Sequence, residues 1–149
     1  MDAIDWVDAR RRCRRPDDGT RCVRRQIMAT ATHYRELICW QLSARLRDEL
    51  IPITERPRVK RRRKFCEQVE DSTRSAPANI AEGFDRSNRE FLRYLNIALG
   101  SLRETENHLD EALSRKFVSA EEHFHFRTLT KRAIRAAEGL KAYLERRLE

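Results

Sequence analysis

Apolar residues recur at helical spacing from residue 33 onwards, which predicts a chain made of amphipathic helices. The first periodic segment predicts a helix over residues 33–55, with Thr32 as its N-cap. Its apolar stripe consists of Tyr34, Leu37, Ile38, Leu42, Leu46, Leu50 and Ile51. Pro52 is expected to bend or end this helix, because proline has no amide hydrogen to donate.

A second segment predicts a helix over residues 60–83. With Ile80 as reference and 100° per residue, Phe65, Val69 and Ala76 fall within about 80° of it and form a core stripe. The opposite face is made mostly of small residues, and small residues let helices of two subunits approach closely. We therefore predict an oligomer interface at Ser75, Ala78 and Glu82.

The second helix contains both Pro77 and Gly83, within the stretch SAPANIAEGF. The core stripe keeps its register across Pro77, so the helix is expected to continue through the proline at a cost of up to about 3 kcal/mol. The Ser72 and Thr73 hydroxyls, or the partner helix, would satisfy the freed backbone groups. A loop that carries a site is the alternative interpretation.

Specific roles are expected for the residues of this motif. We expect Asn79 to hydrogen-bond backbone near the proline, and Gly83 to end the helix where a side chain would obstruct the turn. The residues assigned to a structural rather than a catalytic motif are Pro77, Asn79, Glu82, Gly83 and Gly100.

Two capping boxes predict the starts of the last two helices. Ser87 with Glu90 predicts a helix over residues 88–114, and Ser119 with Glu122 predicts one over residues 119–147. Short connections favour antiparallel neighbours. The sequence therefore predicts an all-α fold, an antiparallel up-down-up-down four-helix bundle.

The length of 149 residues suits one domain, which we place at residues 31–149. Residues 1–30 are rich in arginine and lack apolar periodicity, so we expect a disordered or irregular basic tail. A start codon assigned too early is the alternative, since Met28 lies just before the first periodic segment. There is no apolar leader and no membrane-length apolar run, which favours a cytoplasmic location and no membrane partner.

The formal net charge is +8, which favours acidic partners such as nucleic acid. Seven cations lie between residues 56 and 64 with no acid among them, and we name this stretch the basic segment. Its candidate nucleic-acid-binding residues are Arg56, Arg58, Lys60, Arg61, Arg62, Arg63 and Lys64. No aromatic residue interleaves them, so binding would be to phosphates without sequence readout. A solvated linker is the alternative interpretation.

The sequence contains no recognisable catalytic or metal-binding pattern, so we expect no enzyme, no cofactor and no metal. Cys39 and Cys66 lie on or beside apolar stripes and are interpreted as core thiols. His123 and His125 are two residues apart on a helix and therefore point to different sides. His108 and Glu104 are expected to form at most a surface contact along one helix.

The stretch SAPANIAEGF, followed by EFLRYLNIALGSLRETENHL and preceded by YRELICWQ, resembles a known family over residues 34–144. This is the four-helix-bundle family encoded in intervening sequences of bacterial large-subunit ribosomal RNA genes. The resemblance implies a homopentamer of antiparallel bundles. The family is similar to the accessory variability protein of diversity-generating retroelements, a basic pentameric barrel, which implies by analogy RNA or DNA and a reverse transcriptase as partners.

Two functions remain open at the level of sequence: an oligomeric, non-enzymatic nucleic-acid-binding protein, or a protein–protein interaction scaffold. They differ in whether the basic segment lines up with cations of other helices. A continuous stripe would favour nucleic acid, and scattered cations alternating with glutamates would favour the scaffold. The cations that decide this are Arg89, Arg93, Lys131, Arg132 and Arg135.

Overall fold

Four long helices and one single-turn helix form the regular structure of residues 31–148, the part of the chain that this computed structural model describes. A 3₁₀ turn over Tyr34–Glu36 precedes them. The helices are α1 (Ile38–Thr54), α2 (Pro57–Lys60), α3 (Arg63–Phe84), α4 (Asn88–Ser114) and α5 (Ala120–Glu145). The prediction of an all-α bundle is confirmed. The predicted basic tail lies outside the described residues.

The start of α1 was predicted wrongly. The helix begins at Ile38 rather than His33, because Leu37 has an extended backbone (φ −72°, ψ 124°). The amide and the hydroxyl of Thr32 both donate to the Glu36 carboxylate, at 3.1 and 3.0 Å, so Thr32 is not the N-cap of α1. At the other end the helix continues past Pro52 and ends at Thr54.

Polar contacts between helices give their relative directions. The Tyr94 hydroxyl donates to Glu82 at 2.8 Å, and the Thr105 hydroxyl contacts that of Ser72 at 3.2 Å. The later residue of α4, Thr105, thus contacts the earlier residue of α3, Ser72. These two helices are therefore antiparallel. Each of α3 and α5 packs against both α1 and α4.

The core lies between the four long helices and is mostly aliphatic, with four buried phenylalanines, Phe65, Phe91, Phe117 and Phe126. Burial of each large aliphatic side chain contributes about 1.5–3 kcal/mol to stability. The largest apolar side chains with less than 2 % exposure are Leu46, Val59, Ile80, Leu95, Leu102 and Leu109.

Helix α3 continues through Pro77, as predicted. The Ser72 and Thr73 hydroxyls do not relieve the proline as expected, because both donate to the Val69 carbonyl instead. The side-chain amide of Asn79 donates to the Ser75 carbonyl at 2.8 Å, which confirms the predicted hydrogen bond of Asn79 to backbone near the proline.

Gly83 lies inside α3 rather than ending it. No described glycine has a positive φ, and the helix runs on to Phe84. A Cβ at Gly83 would lie 2.6 Å from Phe91 Cδ2 and 2.7 Å from Tyr94 Cβ. A side chain is therefore obstructed as predicted, but the obstacle is the close approach of α4 and not the geometry of a turn.

The start of α5 confirms its predicted capping box, and the start of α4 confirms Ser87 as N-cap without a complete box. Ser119 and Glu122 form a complete capping box: the Glu122 amide donates to Ser119 Oγ at 3.1 Å, and the Ser119 amide donates to the Glu122 carboxylate at 2.8 Å. The Glu90 amide donates to Ser87 Oγ at 3.4 Å, and the Ser87 hydroxyl donates to the Glu90 carboxylate at 2.8 Å.

Candidate nucleic-acid interface

The basic segment folds into α2 and the first turn of α3, at one end of the bundle. Pro57 occupies the first turn of α2, where a missing amide hydrogen does no harm. Val59, 1 % exposed, fastens α2 to the core. Arg62 breaks the helix with φ −98° and ψ 63°, and α3 then starts with no side-chain cap and no acid in its first turn. The cations around Val59 are thus held on an ordered support.

Two of the seven cations are held in ion pairs. Arg56 binds Glu122 on α5 through two contacts, of 2.5 and 3.2 Å, and also donates to the Phe117 carbonyl at 3.3 Å. The Arg56 guanidinium and the Ser119 amide lower the pKa of Glu122 to about 2. Lys60 Nζ lies 2.9 Å from Glu55, whose carboxylate raises the lysine pKa. These two cations fix the segment in place.

The other five cations are exposed and form no ion pair within residues 31–148. They are Arg58, Arg61, Arg62, Arg63 and Lys64. An open cleft of about 550 Å³ is lined by Pro57, Arg58, Arg61 and Arg62. Three guanidinium groups around one concavity without a carboxylate suit a phosphate group, since guanidinium and phosphate match in geometry and charge.

The remaining candidate cations lie elsewhere on the bundle. Arg89 and Arg93 are in the first turns of α4, beside the last turns of α3 and so at the opposite end from the cleft. Lys131, Arg132 and Arg135 are exposed along the middle of α5, and none of them forms an ion pair in the described part of the chain. Arg89 and Arg93 therefore do not extend the basic segment, so the continuous stripe that would favour nucleic acid does not run between these two ends of the bundle.

His123 and His125 point to different sides of α5, as predicted. Phe124 lies between them and was missed in the sequence analysis. His123 Nε2 lies 2.8 Å from Asp110 on α4, whereas His125 Nε2 lies 2.5 Å from Glu49 on α1. Phe124 between them is 73 % exposed. Phe124 lies about 160° around the helix from the buried Phe126, and this angle could have indicated from the sequence that Phe124 points outwards.

The predicted oligomer-interface residues lie along the outer side of α3. Ala78 and Glu82 are exposed, while Ser75 is half-buried and contacts the Ser101 hydroxyl at 2.8 Å. On the neighbouring α4, Ile97 is 43 % exposed, and a Cβ at Gly100 would meet nothing within 4 Å. This side of the bundle thus offers small residues next to one exposed aliphatic side chain.

The thiol interpretation is confirmed for both described cysteines. Cys39 is fully buried, and this burial raises its pKa to about 12. Cys66 is half-buried, its pKa is raised mainly by burial, and its Sγ lies 3.3 Å from the Val59 carbonyl. Both are consistent with packing rather than reactivity.

The expected contact between His108 and Glu104 is present, but its placement at the surface was predicted wrongly. His108 is only 6 % exposed and lies edge-on to Phe65, with ring centroids 6.3 Å apart. Its nitrogens are 3.7 Å from Glu104 and 4.0 Å from Glu111, and neither has a hydrogen-bond partner among residues 31–148. Spacing along the helix did not reveal that this side of α4 packs against α3.

Two other properties of the described range bear on its chemistry. Residues 31–148 contain no cluster of three or more potential metal ligands. None of the helices in that range combines the length and apolar character needed to cross a bilayer.

The fold and the site define an all-α bundle protein with an exposed arginine cleft at one end. The family model of the 23S rRNA-intervening sequence protein matches residues 35–139, and the chain belongs to this family. The match contains the whole basic segment and α3, which confirms the family resemblance inferred from the sequence. No curated protein matches the chain.

Proposed function

We propose that this protein is a non-enzymatic, oligomeric bundle of the cytoplasm that binds RNA or DNA through phosphate groups, without reading sequence. The observation that carries the proposal is the cleft of Arg58, Arg61 and Arg62. These three arginines line one open concavity and form no ion pair within the described range. Their charge is therefore available to a ligand.

The surroundings of the cleft support an anionic ligand. Arg56 and Lys60 neutralise two acids, Glu122 and Glu55, by pairing with them. Arginines of the cleft that bind backbone phosphates would release the cations condensed on the nucleic acid, and this release gives nucleic-acid binding its strong salt dependence. The lack of aromatic residues in the basic segment supports contact with phosphates rather than bases.

Oligomerisation would multiply this site. The homopentamer that the sequence resemblance implies would repeat the cleft once in every subunit and produce a ring of cationic sites. Several clefts on one strand would act together, because each contact after the first is intramolecular.

A protein–protein scaffold is the second candidate. Ile97, 43 % exposed beside Gly100, favours it, because an exposed aliphatic residue next to a flat position suits a partner helix. In this case the cations of the basic segment serve only solubility.

Charge reversal at the cleft tests the proposal. The variant R58E/R61E/R62E is compared with R86E/R89E/R93E, which makes the same change in net charge at the other end of the bundle. RNA and DNA binding is measured between about 50 and 200 mM salt. We expect wild-type affinity to fall steeply with salt and the cleft variant to bind at least tenfold more weakly.

The salt slope adds a second criterion. Each phosphate interaction that the cleft variant removes should reduce the slope by about 0.9 on duplex and about 0.7 on single strands. Equal effects of the two variants would mean that net charge, and not the cleft, governs binding. Absence of wild-type binding at low salt would leave the scaffold function.

A further inference from the structure

Phe124 has an unusual environment for a large aromatic residue. It is 73 % exposed, and within residues 31–148 only Ile97 and Leu148 are also large, apolar and exposed. Burial of such a ring stabilises a folded protein, and most of the Phe124 ring does not contribute in this way because it lies in solvent.

The outward orientation of Phe124 is fixed by its two neighbours. His123 binds Asp110 on α4, and His125 binds Glu49 on α1. The first turns of α5 are thus attached on both sides, and the capping box at Ser119 holds their start. The ring is therefore presented to solvent on a rigid support.

The residues that share this face of α5 are polar and cationic. Advancing 100° per residue, Glu138 falls about 40° from Phe124, but its carboxylate is paired with Arg103 on α4 at 3.2 Å. Thr128, Lys131 and Arg135 also fall within about 40° of Phe124. All three are exposed, and neither cation forms an ion pair with a residue of the described range. Lys131 and Arg135 are about one helical turn apart, and Phe124 lies about two turns before Lys131.

This arrangement favours nucleic acid over a protein partner. A protein interface has an apolar centre made of several residues, whereas Phe124 stands alone among polar side chains. Proteins that bind single strands combine aromatic rings with cations on one surface. Bases stack on the rings, and the cations bind the phosphates.

We propose that the outer face of α5 binds single-stranded nucleic acid, with one base stacked on Phe124 and backbone phosphates on Lys131 and Arg135. The inference rests on the proposed function for its class of ligand but uses a different surface from the arginine cleft. In a duplex the faces of each base are covered by its neighbours. The α5 face therefore distinguishes single strands from duplexes, which a site for phosphates alone does not.

The test removes the ring without changing charge. Wild type, F124A and F124Y are compared for binding to a labelled uridine oligomer and to a DNA duplex of equal length. Loss of one stacked base should weaken single-strand binding by F124A about 5- to 150-fold. Duplex binding and the salt slope should be unchanged, and F124Y, which keeps an aromatic ring, should bind like the wild type.

The cations of the face are tested separately. K131Q and R135Q should each lower the salt slope on single strands by about 0.7. An F124A protein that binds single strands like the wild type would overturn the inference. So would equal losses on single strands and duplexes, or a smaller native mass of F124A, which would assign the ring to a subunit contact.

Failure of this inference can be distinguished from failure of the proposed function. If F124A has no effect while R58E/R61E/R62E abolishes binding, the α5 face is not a site and the cleft is. If the cleft variant retains single-strand binding that F124A then removes, the α5 face is the site and the cleft is not. A wild type that binds neither ligand overturns both.

Discussion

Arg56 and Glu122 connect the two chain segments that meet at the basic end of the bundle. The guanidinium contacts both carboxylate oxygens, at 2.5 and 3.2 Å, and the same carboxylate caps α5. One acid thus holds the connection between α1 and α3 against the start of α5. The position of the arginine cleft depends on this contact.

We predict that this ion pair makes stability depend on pH in the acidic range. The pKa of Glu122 is lowered from 4.5 to about 2 in the folded protein. Its contribution is therefore present above about pH 4.5 and is lost as the pH falls through about 2. E122Q should be about 1 kcal/mol less stable than wild type at pH 7, since the pair is partly exposed.

Urea unfolding from pH 7 down to pH 2 measures this difference. The gap between wild type and E122Q should close as the pH falls below about 4.5. The control is E121Q, which changes an exposed glutamate that pairs with no described residue. A gap that is constant over the whole range would show that ionisation of Glu122 contributes nothing to stability.

Replacement of glycine by alanine is predicted to change stability in opposite directions at Gly83 and Gly100. G83A places a Cβ 2.6 Å from Phe91 and should destabilise the protein by about 1–3 kcal/mol through overpacking. G100A adds its Cβ to open space in mid-helix and should stabilise by about 0.5–1 kcal/mol. Thermal unfolding of both variants checks this. Equal stability of G83A and wild type would mean that α3 and α4 can separate at no cost.

His108 is predicted to be replaceable by an apolar residue. Its two ring nitrogens are buried without partners in the described structure, so H108L should leave stability unchanged or raise it by about 1 kcal/mol. The comparison is T105V, which removes a buried hydroxyl that contacts the Ser101 carbonyl at 2.9 Å and should cost about 1 kcal/mol. Destabilisation by H108L as large as that by T105V would reveal a partner for the imidazole.

The outer side of α3 is predicted to form the contact between subunits. A78R should reduce the native mass measured by light scattering, because an arginine cannot fit where two helices approach closely. The control Q41R adds the same side chain at an exposed position of α1, away from α3 and α4. Helicity should be retained in both variants. A stable wild-type monomer at micromolar concentration would contradict the interface.

The sequence predicted the last two helices most accurately. The predicted ranges 88–114 and 119–147 compare with Asn88–Ser114 and Ala120–Glu145, because local capping residues set both starts. The start of α1 was wrong for a local reason as well. The Thr32 hydroxyl bonds the Glu36 carboxylate instead of capping α1. The pattern of apolar residues contains no information about which of these two bonds forms.

The candidate site was less accessible to sequence reasoning. The cations of the basic segment could be named, but Glu122 is far away in sequence, so its pairing with Arg56 depends on the tertiary fold. The distinction between paired and available cations therefore required the structure. The exposure of Phe124 could have been suspected from its place off the apolar stripe of α5. Its fixation by Asp110 and Glu49, again distant in sequence, could not.

Because Cys39 is buried, the reactivity of its thiol can report how often the folded bundle opens. With no exposed surface and a pKa raised to about 12, this thiol is shielded from an alkylating reagent while the bundle is closed. In a variant with serine at the other three cysteines, its labelling rate would follow the fraction of molecules that open. Nucleic acid that binds only the closed form would then slow alkylation in proportion to occupancy, so one chemical measurement would report both folding and ligand binding.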